Sequence, residues 1–369
     1  MRVQFNAMRL RIIFSTLIAT LIAGLLIVSC GGENSKTIDG RAAEIYPPGA
    51  EKCADSNGRS VTIYSGRTEN LINPVLEAFA CETGTNVQVR WGASTDLALL
   101  INEEGDKTLA DVFLSRSPGP VGYLESKDLL GTISSETLDL VEDQNHSASG
   151  KWIGFSGRKR VMVYNTDEYS PEDLPDSVFD LTGEDYRDKV ALPGTNGSFI
   201  DWFTVFMDVH GKDVATQWLD DMVDNGATYY PNNRSIVEAA GRGEISMGLV
   251  NHYYNYQIKA SEGSSHKAEN YDFNNEDIGS LLVITAATIL DSSENVQASE
   301  DLLQYLLSGS VQQYFTDRTF EYPLAAGVQA NSTLPQLTAL EIGSVDFDKL
   351  GGGFEEASRI IEASGILNR

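Results

Sequence analysis

Two adjacent tyrosines, Tyr253 and Tyr254, lie where an apolar segment with strand character runs into a helical pattern. Phenolate oxygen is a hard anionic donor, and hard cations prefer oxygen ligands. A tyrosine pair at the end of a strand is therefore a candidate ligand pair for Fe³⁺. The chain also contains Tyr229-Tyr230, and tyrosines at strand ends are commonly half-buried packing residues. The pair indicates a metal site only if other segments support it.

Three polar turns at predicted strand ends offer groups that would hold an anion. They are residues 65–69, residues 193–198, which open a helical pattern, and Asn232-Asn233. Helix N-termini with free N–H groups and small hydroxyl side chains bind anions well. An ordinary turn followed by a helix cap is the alternative for each of them.

The N-terminus has the pattern of an export signal. Basic residues precede an apolar run at residues 12–28, and Cys30 follows after a small residue. This resembles a bacterial lipobox, which implies cleavage before Cys30 and a lipid on its sulfur. A permanent transmembrane helix is the alternative, because the run is close to the length that spans a bilayer. We predict a signal peptide at residues 1–29 and a flexible polar tether at residues 30–57.

The net charge excludes one class of partner. The chain has 27 Lys and Arg against 53 Asp and Glu, for a formal charge of −26. Such a field opposes nucleic-acid binding, which depends on neutralising phosphates, and attracts cations. Solubility or a saline habitat would explain the same composition.

Cys53 and Cys81 are the other two cysteines. In an exported protein an even pair suggests a disulfide, although the sequence leaves two free thiols open. The four histidines are scattered, without the spacing of a zinc site.

The body of the chain alternates strand and helix patterns. Strands at residues 61–64, 87–91 and 110–114 enclose helices at residues 71–79 and 96–104. This order predicts a parallel sheet whose C-terminal edge is the binding edge, and the body is long enough for two lobes. The same alternation continues with strands at residues 160–164, 190–192, 245–250 and 281–284, and helices at residues 198–209, 214–224, 236–240, 302–314 and 353–363.

Several segments, in order, resemble one family. They include VTIYSGRTEN, WIGFSGRKRVMVYN, GTNGSF, NNRSIVEAAGRGE, GLVNHYYNY and EYPLAAGV. The chain is similar from about residue 61 onward to the ferric-iron-binding, substrate-binding proteins of ABC transporters, the bacterial transferrin-like group. The resemblance implies an α/β fold with two lobes, the periplasmic-binding-protein or Venus-flytrap fold, with crossovers between the lobes. Lobe 1 would comprise residues 58–159 and about 280–330, and lobe 2 about 160–279 and 331–369.

The resemblance also implies roles for individual residues. Tyr253 and Tyr254 would bind Fe³⁺ as the transported ligand. A synergistic anion, carbonate or phosphate, would lie on the glycine turn and nearby asparagines. The protein would be an extracytoplasmic solute-binding lipoprotein rather than an enzyme. It would be a monomer, anchored through Cys30, that delivers iron to an ABC permease. The anion residues so implied are Asn196, Gly197, Ser198, Asn233 and Asn251.

The chain departs from the family pattern at three ligand positions. Phe199-Ile200 stand beyond the glycine turn, where some members have an additional tyrosine. Thr68 stands where many members have a histidine, and Arg116 where many have a glutamate. Arg67 and Arg116 would suit two-point hydrogen bonding to carbonate. Glu69 is a candidate for a further oxygen ligand to the metal.

Two other functions fit parts of the sequence. The same fold would bind an organic anion such as a phosphonate, without metal, through Arg67, Arg116 and the glycine turn. An extracellular hydrolase is the more remote alternative, because the chain lacks a Gly-x-Ser-x-Gly elbow and a histidine beside an obvious nucleophile.

Overall fold

A computed structural model describes residues 41–45, 52–273, 277–335, 337 and 353–369. The predicted signal peptide, Cys30 and part of the predicted tether lie outside these residues. Within them, no helix is both long enough and apolar enough to cross a bilayer. The helices are α1 (Ala42–Ile45), α2 (Glu69–Thr83), α3 (Ser94–Glu104), α4 (Pro118–Glu125), α5 (Ser135–Leu138), α6 (Gly197–His210), α7 (Lys212–Asp224), α8 (Asn233–Gly241), α9 (Tyr253–Glu262), α10 (Val296–Leu306), α11 (Gly309–Tyr314) and α12 (Gly353–Ala363).

The strands are β1 (Ser60–Ser65), β2 (Asn86–Trp91), β3 (Val112–Ser115), β4 (Ile153–Asn165), β5 (Val190–Leu192), β6 (Thr228–Tyr229), β7 (Met247–Asn251), β8 (Ala268–Tyr271), β9 (Leu282–Ile289) and β10 (Tyr322–Pro323). They form one mixed sheet in the order β2-β1-β3-β9-β4-β7-β5-β6, and β8 and β10 also pair with β4. The parallel arrangement predicted from the first three strands is confirmed, because β1 pairs parallel with β2 and β3. β5 also pairs parallel with β6 and β7. The prediction of a parallel sheet is wrong for its centre, where β4 and β9 pair antiparallel with their neighbours.

Strand β4 belongs to two parts of this sheet. From Ile153 to Lys159 it pairs with β9, and from Arg160 to Tyr164 it pairs with β7. We call the first half-sheet the part with β1, β2, β3, β9, β10 and residues 153–159. The second half-sheet has β5, β6, β7, β8 and residues 160–165. The change of partner falls between Lys159 and Arg160.

Helix α6 carries a cluster of aromatic side chains that packs against α7. Phe199, Trp202 and Phe206 recur at three- and four-residue spacing, so they share one buried face. The Trp202 indole donates to the Ile278 carbonyl oxygen at 2.6 Å, and the Trp218 ring packs edge-on against Trp202. Truncating such a buried tryptophan typically costs about 3–5 kcal/mol. This packing fixes the position of the N-terminus of α6.

Three other segments bear on the sequence predictions. The Cys53–Cys81 disulfide is confirmed and joins residue 53 to α2. The single helix predicted at residues 302–314 is instead α10 and α11, separated at Leu307 and Ser308, where the chain turns. Helix α1 falls within the predicted tether, yet it buries Ala42 and Ile45, and Glu44 binds Arg318 at 2.8 Å.

Candidate metal centre

The tyrosine pair stands at the corner between β7 and α9. Strand β7 is buried throughout, and α9 begins at Tyr253 immediately after it. Tyr253 is only 4% exposed and Tyr254 is half-buried. Their ring centroids are 4.3 Å apart, with a tilt of 36° between the rings. The two phenols therefore form one local cluster rather than two separate packing residues.

Burial and the neighbouring Tyr253 phenol raise the pKa of Tyr254 above its ordinary value of 10.0. Arg116 and Arg158 act in the opposite direction, because their positive charges favour the phenolate. The phenol is thus protonated at neutral pH in the free protein. A bound cation reverses this preference, since a metal ion makes deprotonation of its ligand favourable.

Two arginines of β4, Arg158 and Arg160, supply the positive charge beside the pair. Side chains two residues apart in a strand project to the same face, and both guanidinium groups interact electrostatically with Tyr253. Arg158 is 1% exposed and Arg160 is 0% exposed. Neither forms an ion pair with a carboxylate in the described residues. They are buried cations without a direct counter-charge.

Burial changes the pKa values of the two guanidinium groups. Burial lowers the pKa of Arg158 below its ordinary value, and burial together with the Arg158 charge lowers the pKa of Arg160 to about 9. Arg158 donates to the carbonyl oxygen of Arg116. Arg160 lies over the rings of Phe199 and Trp202, 5.5 and 5.8 Å from their centroids.

The predicted anion residues meet in one hydrogen-bond network centred on Asn233. Its amide nitrogen donates to Asn196 Oδ1 at 3.1 Å and to Ser198 Oγ at 3.2 Å. Its amide oxygen accepts from the backbone N–H of Asn251 at 3.1 Å and from Arg160 Nη1 at 3.3 Å. All four hydrogen-bonding positions of this amide are therefore used by protein groups.

The start of α6 is more open than this network. Asn196 caps the helix by accepting from the backbone N–H of Ser198 at 3.1 Å and from its hydroxyl at 2.6 Å. A Cβ placed on Gly197 would meet no atom within 4 Å, so there is free space at this helix N-terminus. Backbone N–H groups beside free space are suited to an anion.

The residues of the first loop are placed differently from one another. Arg67 is buried and forms a two-point ion pair with Glu321. Thr68 and Glu69 are exposed at the start of α2, and no hydrogen bond joins Glu69 to the tyrosine pair. Arg116 is half-buried. Among the residues that the structure describes, the buried arginine Nε atoms without a hydrogen-bond partner belong to Arg67, Arg116, Arg158 and Arg160.

Two further buried titratable groups are His252, next to the tyrosine pair in the sequence, and Asp201, which interacts with the arginines. His252, just before Tyr253, is 2% exposed, and burial lowers its pKa to about 4. Asp201 of α6 is 8% exposed, and burial raises its pKa to about 6, against the opposing effects of Ser117 and the nearby arginines. In the described residues no group of three or more His, Cys, Asp or Glu side chains is arranged to hold a metal ion.

The sequence profile of the family described as bacterial extracellular solute-binding protein matches residues 107–349 of the chain. The match covers more than half of the sequence and includes the tyrosine pair. The chain belongs to this family of solute-binding proteins.

Several similar proteins are described as iron-binding or as iron-bound. This solute-binding protein is 27% identical over 316 residues to the Fe(3+)-binding periplasmic protein of Serratia marcescens, covering 85% of this chain and 93% of that one. It is 30% identical to iron-bound HitA from Pseudomonas aeruginosa, with a TM-score of 0.78, covering 83% and 99% of the two chains. It is 25% identical to a Trichodesmium protein solved with iron and citrate ligands, with a TM-score of 0.71 and coverage of 83% and 99%.

These likenesses confirm the two-lobed periplasmic-binding-protein fold that the sequence predicted. The relatives are described as an Fe(3+)-binding periplasmic protein and as a major ferric iron-binding protein, in agreement with the predicted binding function rather than an enzymatic one. The structure of this solute-binding protein brings Asn196, Ser198, Asn233 and Asn251 into one network. It places Arg67 against Glu321 and leaves Glu69 exposed.

Sequence reasoning missed Arg158, Arg160 and Glu321. The two arginines lie in WIGFSGRKRVMVYN, where Arg158, Lys159 and Arg160 form a run of three cations inside an otherwise apolar strand. Such a run is a usable signal, because it places at least one charge on a buried face of the strand, where a charge needs a partner or a function. Glu321 lies in EYPLAAGV, and nothing local identifies its partner 254 residues away.

Proposed function

We propose that this protein captures Fe³⁺ outside the cytoplasm through Tyr253 and Tyr254 and delivers it to an ABC permease. One observation carries the proposal: the adjacent Tyr253 and Tyr254, buried and half-buried, interact electrostatically with Arg158 and Arg160. Both arginines are buried and have no carboxylate ion-pair partner in the described residues. The ferric-binding relatives support it.

The charges of the centre fit this cargo. Two phenolates offset two of the three positive charges of Fe³⁺. A dianion such as carbonate then leaves a single negative charge on the assembly. Arg158 and Arg160 offset that charge in a buried setting, where electrostatic interactions are stronger than in water. Without cargo the Tyr254 phenol is protonated, because burial and the neighbouring Tyr253 raise its pKa.

We place the synergistic anion, carbonate or phosphate, between the start of α6 and the β4 arginines. Gly197 and Ser198 supply helix N-terminal N–H groups, and the free space beside Gly197 supports this position. Asn196 and Asn251 flank it. Asn233 orders the network, because its own amide groups are already engaged.

The roles of the first-loop residues follow from their contacts. The Nη atoms of Arg67 are held by Glu321, so Arg67 would reach an anion through its unpartnered Nε. Arg116 also has an unpartnered Nε. Glu69 as a further metal ligand would require movement of the loop toward the pair, because the side chain is exposed.

The second candidate function is binding of an organic anion, such as a phosphonate, without metal. The unpartnered Nε atoms of Arg67, Arg116 and Arg158 favour it. In that case the tyrosines only line the site, and their hydroxyl groups are dispensable for affinity.

A ferric titration tests the proposal. The apo protein is titrated with ferric nitrilotriacetate, with and without carbonate or phosphate, and its visible spectrum is recorded. We expect a tyrosinate-to-iron charge-transfer band that saturates at one iron per chain. Absence of the band under every anion condition would contradict iron binding by the pair. Calorimetric titration with a phosphonate in the absence of iron then measures the second candidate.

We propose further that the mature protein is a monomer anchored to the membrane by a lipid on Cys30, on the periplasmic side or at the cell surface. The segment before Cys30 supports this proposal. Cell fractionation of a C30A variant tests it. The wild type is expected in the membrane fraction and the variant outside it, and equal distribution of both would contradict the anchor.

A further inference from the structure

Both ring nitrogens of His252 are engaged by backbone groups. The backbone N–H of Lys159 donates to Nδ1 at 3.0 Å, and Nε2 lies 2.7 Å from the carbonyl oxygen of Phe320. A backbone N–H can only donate, so Nδ1 carries no proton. The proton is therefore on Nε2, which donates to Phe320. The two contacts define one neutral tautomer of the ring.

The backbone of His252 is fixed as well. Its N–H donates to the carbonyl oxygen of Lys159 at 3.0 Å, so His252 and Lys159 are joined by two reciprocal hydrogen bonds. Its carbonyl oxygen accepts from Asn270 Nδ2 at 2.9 Å. Lys159 is the last residue of β4 that pairs with β9. His252 therefore holds β4 where this strand passes from the first half-sheet to the second.

On its other side, His252 contacts the segment around β10. Its ring stacks on Tyr322 at 5.1 Å between centroids, with a tilt of 29°. Phe320 has a left-handed backbone, with φ of 58°, and is followed by Glu321, the partner of Arg67. One side chain thus connects the tyrosine corner to the first half-sheet and to the segment that holds Arg67.

We propose that His252 is a positioning residue for the tyrosine pair. It holds the corner between β7 and α9 against β4 and β10, so that Tyr253 and Tyr254 are preorganised beside Arg158 and Arg160. This proposal rests on the proposed ferric function. Groups that orient metal ligands through hydrogen bonds commonly tune affinity, and preorganisation lowers the ordering cost of binding.

Three variants test this role. H252F keeps a flat ring on Tyr322 but removes both hydrogen bonds. H252Q keeps one donor and one acceptor. H266F is the matched control, because His266 is another buried histidine packed near α9, bonded to Asn255 Oδ1 at 2.7 Å and not to β4 or β10. Each protein is loaded with Fe³⁺, and the position of its visible band and the rate of iron loss to excess chelator are measured.

We expect H252F to lose iron about ten-fold faster than the wild type with a shifted band, since one or two buried hydrogen bonds carry free energies of that scale. H252Q should have a rate of iron loss and a band position close to those of the wild type, and H266F should match the wild type in both. If H252F does not fold, H252L takes its place with the same expected result.

Three outcomes separate this proposal from the function on which it rests. If the wild type shows the band and H252F has the same band position and the same release rate, the proposed role of His252 is overturned and the ferric function is not. Equal acceleration in H252F and H266F, in proportion to their losses of thermal stability, would also overturn it. A wild-type protein that shows no band would overturn the ferric function itself.

Discussion

Arg67 and Glu321 form a buried two-point ion pair, with Nη1–Oε1 at 2.9 Å and Nη2–Oε2 at 2.6 Å. Glu321 also accepts from the hydroxyl groups of Thr319 at 2.9 Å and Ser156 at 3.3 Å. Burial opposes ionisation of Glu321, but the Arg67 charge and the hydrogen bonds from Arg67 and Thr319 together outweigh it and lower the pKa of the carboxyl group. The pair joins the loop after β1 to the segment before β10, beside the tyrosine corner.

Removing one partner of this pair should destabilise the protein. We expect E321Q to lower the free energy of unfolding by about 3–5 kcal/mol, because it leaves the buried Arg67 charge without its carboxylate. Urea denaturation of the apo protein measures the change. D301N is the control, since the Arg59–Asp301 pair is partly exposed and should contribute less than about 1 kcal/mol. Equal effects of the two substitutions would show that the Arg67–Glu321 pair is not the stronger contact.

Arg158 should control the anion dependence of iron binding. We expect R158M to weaken the gain in ferric affinity on adding carbonate or phosphate by about ten-fold or more, the scale of a lost hydrogen bond to a charged group. K159M is the matched control, because the neighbouring Lys159 side chain instead pairs with Asp272 at 2.8 Å. Iron competition assays with and without each anion make the comparison. The same loss in R158M and K159M would exclude a specific role of Arg158.

Burial of Asp201 should make the apo protein less stable above pH about 6 than below pH about 4. Its pKa is raised from the ordinary 3.8 to about 6, so the folded state favours the protonated acid. The associated stability is present below pH about 4 and is lost as pH rises through about 6. We expect D201N to increase the free energy of unfolding by about 1–3 kcal/mol at pH 7.5 and to change it little at pH 4.

Urea denaturation at both pH values measures this difference. D208N, an exposed aspartate of the same helix, is expected to be neutral at both. A D201N protein that is less stable than the wild type at pH 7.5 would mean that the arginines stabilise the ionised carboxylate more than burial destabilises it.

The sequence predicted the parts of the fold that depend on local patterns. Strands β1, β2 and β5 and helices α2, α6 and α12 follow from apolar spacing and end signals within a few residues. The pairing partners of β4 do not follow from local patterns, because β9 and β7 are far from β4 in the sequence. The antiparallel centre of the sheet was missed for the same reason.

The same distinction holds for the candidate site. Tyr253, Tyr254 and the asparagine turns were visible because each forms a short motif at the end of an element. Arg158 and Arg160 lie inside a strand, and only the structure shows that their charges interact electrostatically with the tyrosine pair. The engagement of Arg67 by Glu321 depends on contact between distant segments, so the sequence left Arg67 free to bind an anion.

The most direct test of the account is the ferric affinity of a protein without the two phenol groups. Y253F/Y254F is compared with the wild type and with Y229F/Y230F, the other adjacent pair, in equilibrium competition for Fe³⁺ against citrate. We predict that Y253F/Y254F loses the visible band and at least about a hundred-fold in affinity, while Y229F/Y230F keeps both. Retention of wild-type ferric affinity by Y253F/Y254F would contradict the assignment of this pair as the iron ligands.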